Sequence, residues 1–152
     1  DTSLINNRIG LLIWKTSNYW QSNLRRILYP FDLSLNEYLI LQSIKSLMLI
    51  KSDIYQNEIS ELIGVDISVT SVTLKSLENK KIISRKLLID NRKKIIEILL
   101  KGEEIFKIVN PLVQKEEDRL FKKLNNETFN LINSLKLILG RKIRIKAEKK
   151  DQ

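Results

Sequence analysis

The sequence predicts a mainly α-helical (α+β) chain with one two-stranded β-hairpin, on three observations. Only four glycines and two prolines interrupt its 152 residues, so long stretches carry no strong helix breaker. Apolar residues recur at three- and four-residue spacings over most of the chain, the period of a helix with one buried face. One stretch departs from that period. Ile82–Leu88 and Lys93–Ile98 are rich in β-branched and apolar residues and flank an Asp-Asn pair suited to a turn.

The first helix is expected from Leu4 to about Leu28, where Ile5, Ile9, Leu12, Trp20, Leu24 and Ile27 line one face. Tyr29-Pro30 ends it, because proline disfavours helix in the residue before it and has no N–H to donate. Ser34-Leu35-Asn36-Glu37 opens the second helix as a capping box, with Leu33 and Tyr38 as its staple; Leu39, Leu41, Ile44 and Leu47 carry it towards Met48. A short third helix is expected over Ile54–Ile63, with Ile59, Leu62 and Ile63 inward and Gly64 suited to a left-handed exit. Ser68 is the expected cap of a fourth helix running to about Lys80. Two short helices joined this closely suggest a helix-turn-helix. After the hairpin the pattern returns to helix, from about Leu100 to Leu124 and from Asn126 to Lys146. Ile105, Ile108, Val109, Leu112 and Leu120 share a face there, and Asn110-Pro111 should introduce a bend. The tail from Arg141 to Gln152 is expected to fray.

Composition narrows the function classes. The chain holds 27 Lys plus Arg against 18 Asp plus Glu, a formal charge of +9, so a polyanion is the natural partner. It contains no histidine and no cysteine. The first absence removes the commonest general base and metal ligand; the second removes disulfides, thiolate metal sites and thiol redox sensing. Ser-His-Asp, Cys-His and ordinary zinc chemistry are thereby closed, and no enzyme activity, metal or cofactor is expected. No apolar run approaches the roughly 18–20 residues that span a bilayer and no signal peptide is evident, so the expected location is the cytoplasm.

The charge is unevenly placed. Ser68 to Lys101 holds nine Lys or Arg against three acids, while Lys51 to Ile67 holds one Lys against four. The fourth helix and the hairpin thus carry cations where phosphate contact would need them. Thr70, Thr73, Leu74 and Leu77 share one face of that helix and are expected to pack inward. Ser68, at its start, and Val69, Ser71, Val72, Lys75 and Ser76 on its outer face are the candidates for reading a DNA groove. Serine can bond base edges or phosphate, lysine phosphate or guanine, and valine the methyl group of thymine. An ordinary solvated helix face is the competing reading, but it would more often carry Glu or Lys where the two valines stand. Arg85 and Lys86 lie on the first strand. Asp90, Arg92, Lys93 and Lys94 surround the turn, where an arginine suits the narrow minor groove and the lysines the flanking phosphates.

Several short patterns fall in register along the chain: Glu58-Ile59-Ser60-Glu61, Gly64-Val65-Asp66-x-Ser68, Leu74-x-x-Leu77-Glu78-x-Lys80, Arg85, Asp90-x-Arg92, Ile98 and Gly102. Together they resemble the MarR family of bacterial transcription regulators. Leu124-x-x-Glu127-Thr128-x-x-Leu131 also resembles the family's entry into its last helix, so the likeness spans nearly the whole chain. It implies a single MarR-like chain with a winged helix-turn-helix over residues 34–101, including a two-stranded β-wing, and N- and C-terminal dimerisation helices over 1–30 and 103–146. It further implies a homodimer on double-stranded DNA with a pseudo-palindromic operator, acting as repressor or activator, and a small-molecule effector. By the same likeness Arg92 is the wing-tip arginine and Asp90 holds it in position. Four positions depart from the family pattern: Val72 where arginine is frequent, Ser71 where threonine is, Lys81 where glycine is, and Leu99 where threonine is.

Trp14, Tyr19 and Trp20 are candidates to line a small-molecule pocket, with plain core and dimer packing as the competing reading. Glu116-Glu117-Asp118 diverge around a helix and read as a solvated face rather than a cation site. The basic residues from Arg141 to Lys150 read as a solvated end, with no membrane partner. Two other functions fit the charge: a low-specificity architectural nucleic-acid-binding protein, and a helical protein-interaction module with an incidental basic face.

Overall fold

The computed structural model describes residues 7–87 and 94–140. In chain order these are α1 (Ile9–Leu28), a 3-10 turn (Tyr29–Phe31), α2 (Leu35–Met48), α3 (Gln56–Ile63), α4 (Ile67–Asn79), β1 (Ile83–Leu87), β2 (Lys94–Ile98), α5 (Leu100–Phe121), a 3-10 stretch (Lys122–Glu127) and α6 (Thr128–Ile138). The chain divides into two compact units, one up to Glu116 and one from Glu117 on, with the boundary inside α5.

In the first unit each element boundary has a local cause. The 3-10 turn containing Pro30 follows α1, and the chain leaves it through Asp32 at a left-handed φ of 53°. Ser34 Oγ accepts the Glu37 N–H at 3.1 Å while Glu37 Oε1 accepts the Ser34 N–H at 3.0 Å, which closes the expected capping box. α3 begins at Gln56, later than the apolar pattern implied. Ile54 is drawn into the core instead, and its carbonyl accepts the N–H of Ile96 at 3.0 Å, tying the hairpin to this segment. Gly64 ends α3 at φ 70°. The cap of α4 is Asp66 rather than Ser68: Asp66 Oδ1 accepts the Ser68 N–H at 3.0 Å, so Ser68 already lies in the first turn.

The core of this unit gathers the inward stripes of its elements. Leu24 and Leu28 of α1 meet Tyr38, Ile40, Leu41 and Ile44 of α2, Ile59 of α3, and Leu74 and Leu77 of α4, with Ile83, Ile96, Val109 and Val113 completing it. Each buried aliphatic side chain of this size contributes about 1.5–3 kcal/mol of transfer free energy. Thr70 and Thr73 are buried on α4 as the pattern predicted, and Ser60 Oγ donates to Thr70 Oγ1 at 2.8 Å, joining the two helices of the helix-turn-helix. Leu62, Ile108 and Leu112, expected inward, face solvent. The buried line of α5 runs through Gly102, Ile105, Val109 and Val113, and the residues one position earlier lie about 100° around the helix, outside the contact. α5 passes through Pro111 as one helix, and Asn110 Oδ1 accepts the Tyr38 hydroxyl at 2.8 Å. α1 buries only its C-terminal end, leaving Ile9, Leu12, Ile13 and Trp14 exposed.

In the second unit the chain leaves α5 through the 3-10 stretch, turns at Asn125 with φ 47°, and enters α6. No side chain of α6 is buried, although it is rich in apolar residues: Phe129, Leu131, Ile132, Leu135 and Ile138 are all exposed. Among the described residues no helix is long and apolar enough to cross a membrane.

Candidate nucleic-acid interface

Burial of Thr70, Thr73, Leu74 and Leu77 sets the rotation of α4 and decides which residues it shows to solvent. Val72 is 71% exposed and Val69 39%, and Lys75 is exposed beside them. Ser71 is half-buried. Two hydroxyls that the sequence placed among the groove readers are already engaged. Ser68 Oγ donates to Asp66 Oδ1 at 3.1 Å, and Ser76 Oγ donates to Glu37 Oε2 at 3.3 Å. The Ser68 N–H, and after it the Ser68 hydroxyl, hold the Asp66 carboxyl below its ordinary pKa, so a carboxylate heads α4 at neutral pH.

The C-terminal end of α4 is anchored by a charge network with no local sequence signature. Lys80 Nζ donates to Glu37 Oε1 at 2.9 Å and to the Asp32 carbonyl at 2.6 Å, and Lys101 Nζ donates to the Lys80 carbonyl at 2.9 Å. Glu37 is only 4% exposed. Burial pushes its carboxyl pKa up, but the Ser34 N–H and the Lys80 ammonium together outweigh burial and hold it below the ordinary glutamate value. One carboxylate thus caps α2 and receives both Ser76 of α4 and Lys80 at its C-cap, which holds the outer face of α4 at a set angle to α2.

The hairpin pairs antiparallel from Ile83 with Ile98 to Leu87 with Lys94. Buried Ile83 and Ile96 fasten its base to the core. The Arg85 side chain is only 14% exposed, and its guanidinium pairs with Glu78 of α4, so this candidate DNA contact links the hairpin to the helix. Lys86 pairs across the strands with Glu97 at 3.0 Å and stays exposed, an interaction contributing at most about 1 kcal/mol. Lys94 is exposed and, with Arg85, lines a cleft of about 510 Å³ beside Tyr55, Gln56 and Ile67. Asp90, Arg92 and Lys93 lie outside the described residues. Lys81, between α4 and β1, has a left-handed φ of 59°. That conformation accounts for glycine in the family pattern, since a side chain there costs about 1 kcal/mol.

Trp14 and Tyr19 are exposed on α1, and Trp20 packs half-buried against the core. None of the three lines the cleft beside Arg85 or a second one of about 390 Å³ lined by Lys45, Glu103, Glu104, Phe106 and Lys107. Among the described residues no group of acids is arranged to hold a metal ion. Sequence reasoning found the inner and outer faces of α4 but missed the Glu37–Lys80 and Glu78–Arg85 pairs. For Glu78 the one available signal was a single acid within a basic stretch; for Glu37, read as a cap of α2, there was none.

No family model matches the chain. A curated relative, the uncharacterized HTH-type transcriptional regulator YdcH of Bacillus subtilis (strain 168), is 26% identical over 117 residues, covering 76% of this chain and 80% of its own. Among solved structures, the MepR–DNA complex of S. aureus matches with a TM-score of 0.78 at 19% identity, over 88% of this chain and 95% of that one. A mutant MarR of E. coli complexed with operator DNA matches with a TM-score of 0.76 at 24% identity, over 86% of this chain and 93% of that one. A MarR family transcriptional regulator from Silicibacter pomeroyi also reaches 0.76, at 20% identity and 92% of each chain. At these identities the likeness is one of fold.

Proposed function

We propose that this chain, which has the winged helix-turn-helix fold of the MarR regulators, is a DNA-binding transcriptional regulator acting as a homodimer on a pseudo-palindromic operator. The outer face of α4 carries the reading: it is exposed, anchored at its C-terminal end by Lys80, and accompanied by the exposed cations Lys75, Lys86 and Lys94. Exposed lysines on an anchored helix and hairpin suit phosphate contact, which positions a protein on a duplex, while the helix face between them meets base edges. MepR and MarR, which share the fold, have been solved with DNA. Within this proposal Arg92 meets the minor groove and Lys93 a flanking phosphate.

Binding to selected and to random duplexes over a salt series tests the reading. The expected result is a preference of about a thousandfold or more for selected sequence. Lys75→Ala should weaken binding to both duplexes by a similar factor and lower the salt slope by about one. A flat preference would instead favour the low-specificity architectural binder.

The dimer is supported by apolar surface that water would otherwise cover: Ile9, Leu12, Ile13 and Trp14 on α1, and Phe129, Leu131, Ile132 and Leu135 on α6. Sedimentation at micromolar concentration is expected to give a dimer for the parent chain and a monomer for the Phe129→Arg, Leu135→Arg double variant. A parent chain that sediments only as monomer would remove the homodimer from the proposal. Release by a small ligand is supported by the cleft beside Arg85, where a small acid bound to the guanidinium would compete with Glu78.

A further inference from the structure

We infer that Val72 reads the C5 methyl group of a thymine in the major groove, so that each half-site this chain selects carries a thymine opposite the middle of α4. The inference rests on the DNA-binding reading above and names what that surface recognises. The structure leaves the centre of the outer face apolar. Ser68 and Ser76 have their hydroxyls on Asp66 and Glu37, and Ser71 is half-buried. Val72 is the most exposed hydrophobic residue of the helix at 71%, with Val69 one turn before it at 39%. Of the side chains that hold guanine or adenine in a two-pronged hydrogen bond, Arg, Asn and Gln, α4 carries only Asn79, its last residue, two turns beyond Val72.

Among the bases in the major groove only thymine offers an apolar group; guanine, adenine and cytosine present donors and acceptors. Valine against a thymine methyl removes two apolar surfaces from water. Against N7 and O6 of guanine it would desolvate acceptors with no partner, which is unfavourable. A β-branched side chain in a helix holds essentially one χ1 rotamer, so the methyls of Val72 are placed before DNA arrives. Lys75 stands one turn further along the same exposed face and can hold a phosphate while Val72 meets the base.

The test replaces each thymidine of a selected duplex, one at a time, by deoxyuridine, which removes the methyl and keeps the base pair. The full-length parent chain is expected to lose about fourfold in affinity at one position per half-site, the equivalent of about 0.8 kcal/mol for one buried carbon. Val72→Ala should bind the parent duplex more weakly and be indifferent to uracil at that position. Val72→Thr, which keeps one γ-methyl, should recover part of the discrimination. Circular dichroism verifies the fold of each variant, and the exposure of Val72 predicts no change. Uracil sensitivity that is the same in the parent and Val72→Ala, or absent from both while sequence preference persists, would overturn the assignment. Loss of all sequence preference in the parent chain would overturn the regulator reading as well, so the two failures are distinguishable.

Discussion

Glu37→Ala is expected to lower the free energy of unfolding by about 2–4 kcal/mol, read as a shift in the urea midpoint at unchanged slope. The substitution removes the reciprocal cap of α2, leaves the Ser34 N–H without its acceptor, and strips Lys80 of its one buried counter-ion. Removing one partner of a fully buried pair typically costs about 3–5 kcal/mol. The lower range applies here because the Lys80 side chain is a quarter exposed and keeps the Asp32 carbonyl. Glu37→Gln retains the shape and an acceptor for Ser34 but loses the charge, and should cost about half as much.

The same group gives stability a pH dependence with a definite sign. The Glu37 carboxyl has a folded pKa below its unfolded one, because the Ser34 N–H and Lys80 prevail over burial. Its contribution is therefore complete above the unfolded glutamate pKa and is lost as pH falls through that value towards the folded one. Parent and Glu37→Gln unfolding curves should converge as acid is added through this window. A gap that stayed constant down to acid unfolding would show that the charge of Glu37 contributes nothing to the fold.

Gly102→Ala is expected to destabilise the first unit by about 2 kcal/mol, lowering the melting temperature by roughly 4–8 °C, although alanine is the better helix former by about 1 kcal/mol. A Cβ at Gly102 would stand 2.3 Å from the Ile82 carbonyl oxygen and 2.8 Å from Cγ2 of Ile98. The first of these is backbone, and the same carbonyl accepts the Leu99 N–H at 2.9 Å. α5 cannot retreat from the hairpin without stretching that bond, so overpacking outweighs propensity. An unchanged or raised melting temperature would mean that the junction of hairpin and α5 is looser than its contacts imply.

The location of these two sites shows which parts of the molecule were legible in the sequence. Where the controlling interaction spans a few residues, the reading held. Ser34 and Glu37 cap each other three residues apart, Gly64 takes the left-handed exit, and Thr70, Thr73, Leu74 and Leu77 turn inward on one face of α4. Where two adjacent residues could cap it did not: Asp66 rather than Ser68 caps α4, because the Asp66 carboxylate accepts the N–H of Ser68 and the helix starts two residues earlier. The inward faces of α3 and α5 were read too broadly, since periodicity assigns a stripe but packing buries only one line within it.

By itself the sequence determined the order of helices and hairpin, the capping box of α2, the glycine exit of α3, and the side of α4 that faces out, because periods of two and about four residues and cap chemistry are local. Only the tertiary structure decided what each side chain on that surface is able to do. It made Lys80 the partner of Glu37, turned Arg85 from a candidate DNA contact into the partner of Glu78, tied the Ser76 hydroxyl to Glu37, and left Val72 and Lys75 exposed. Those pairings join residues 7 to 43 positions apart. Whether a cation meets a carboxylate or solvent depends on where packing brings them, and packing is a property of the assembled core.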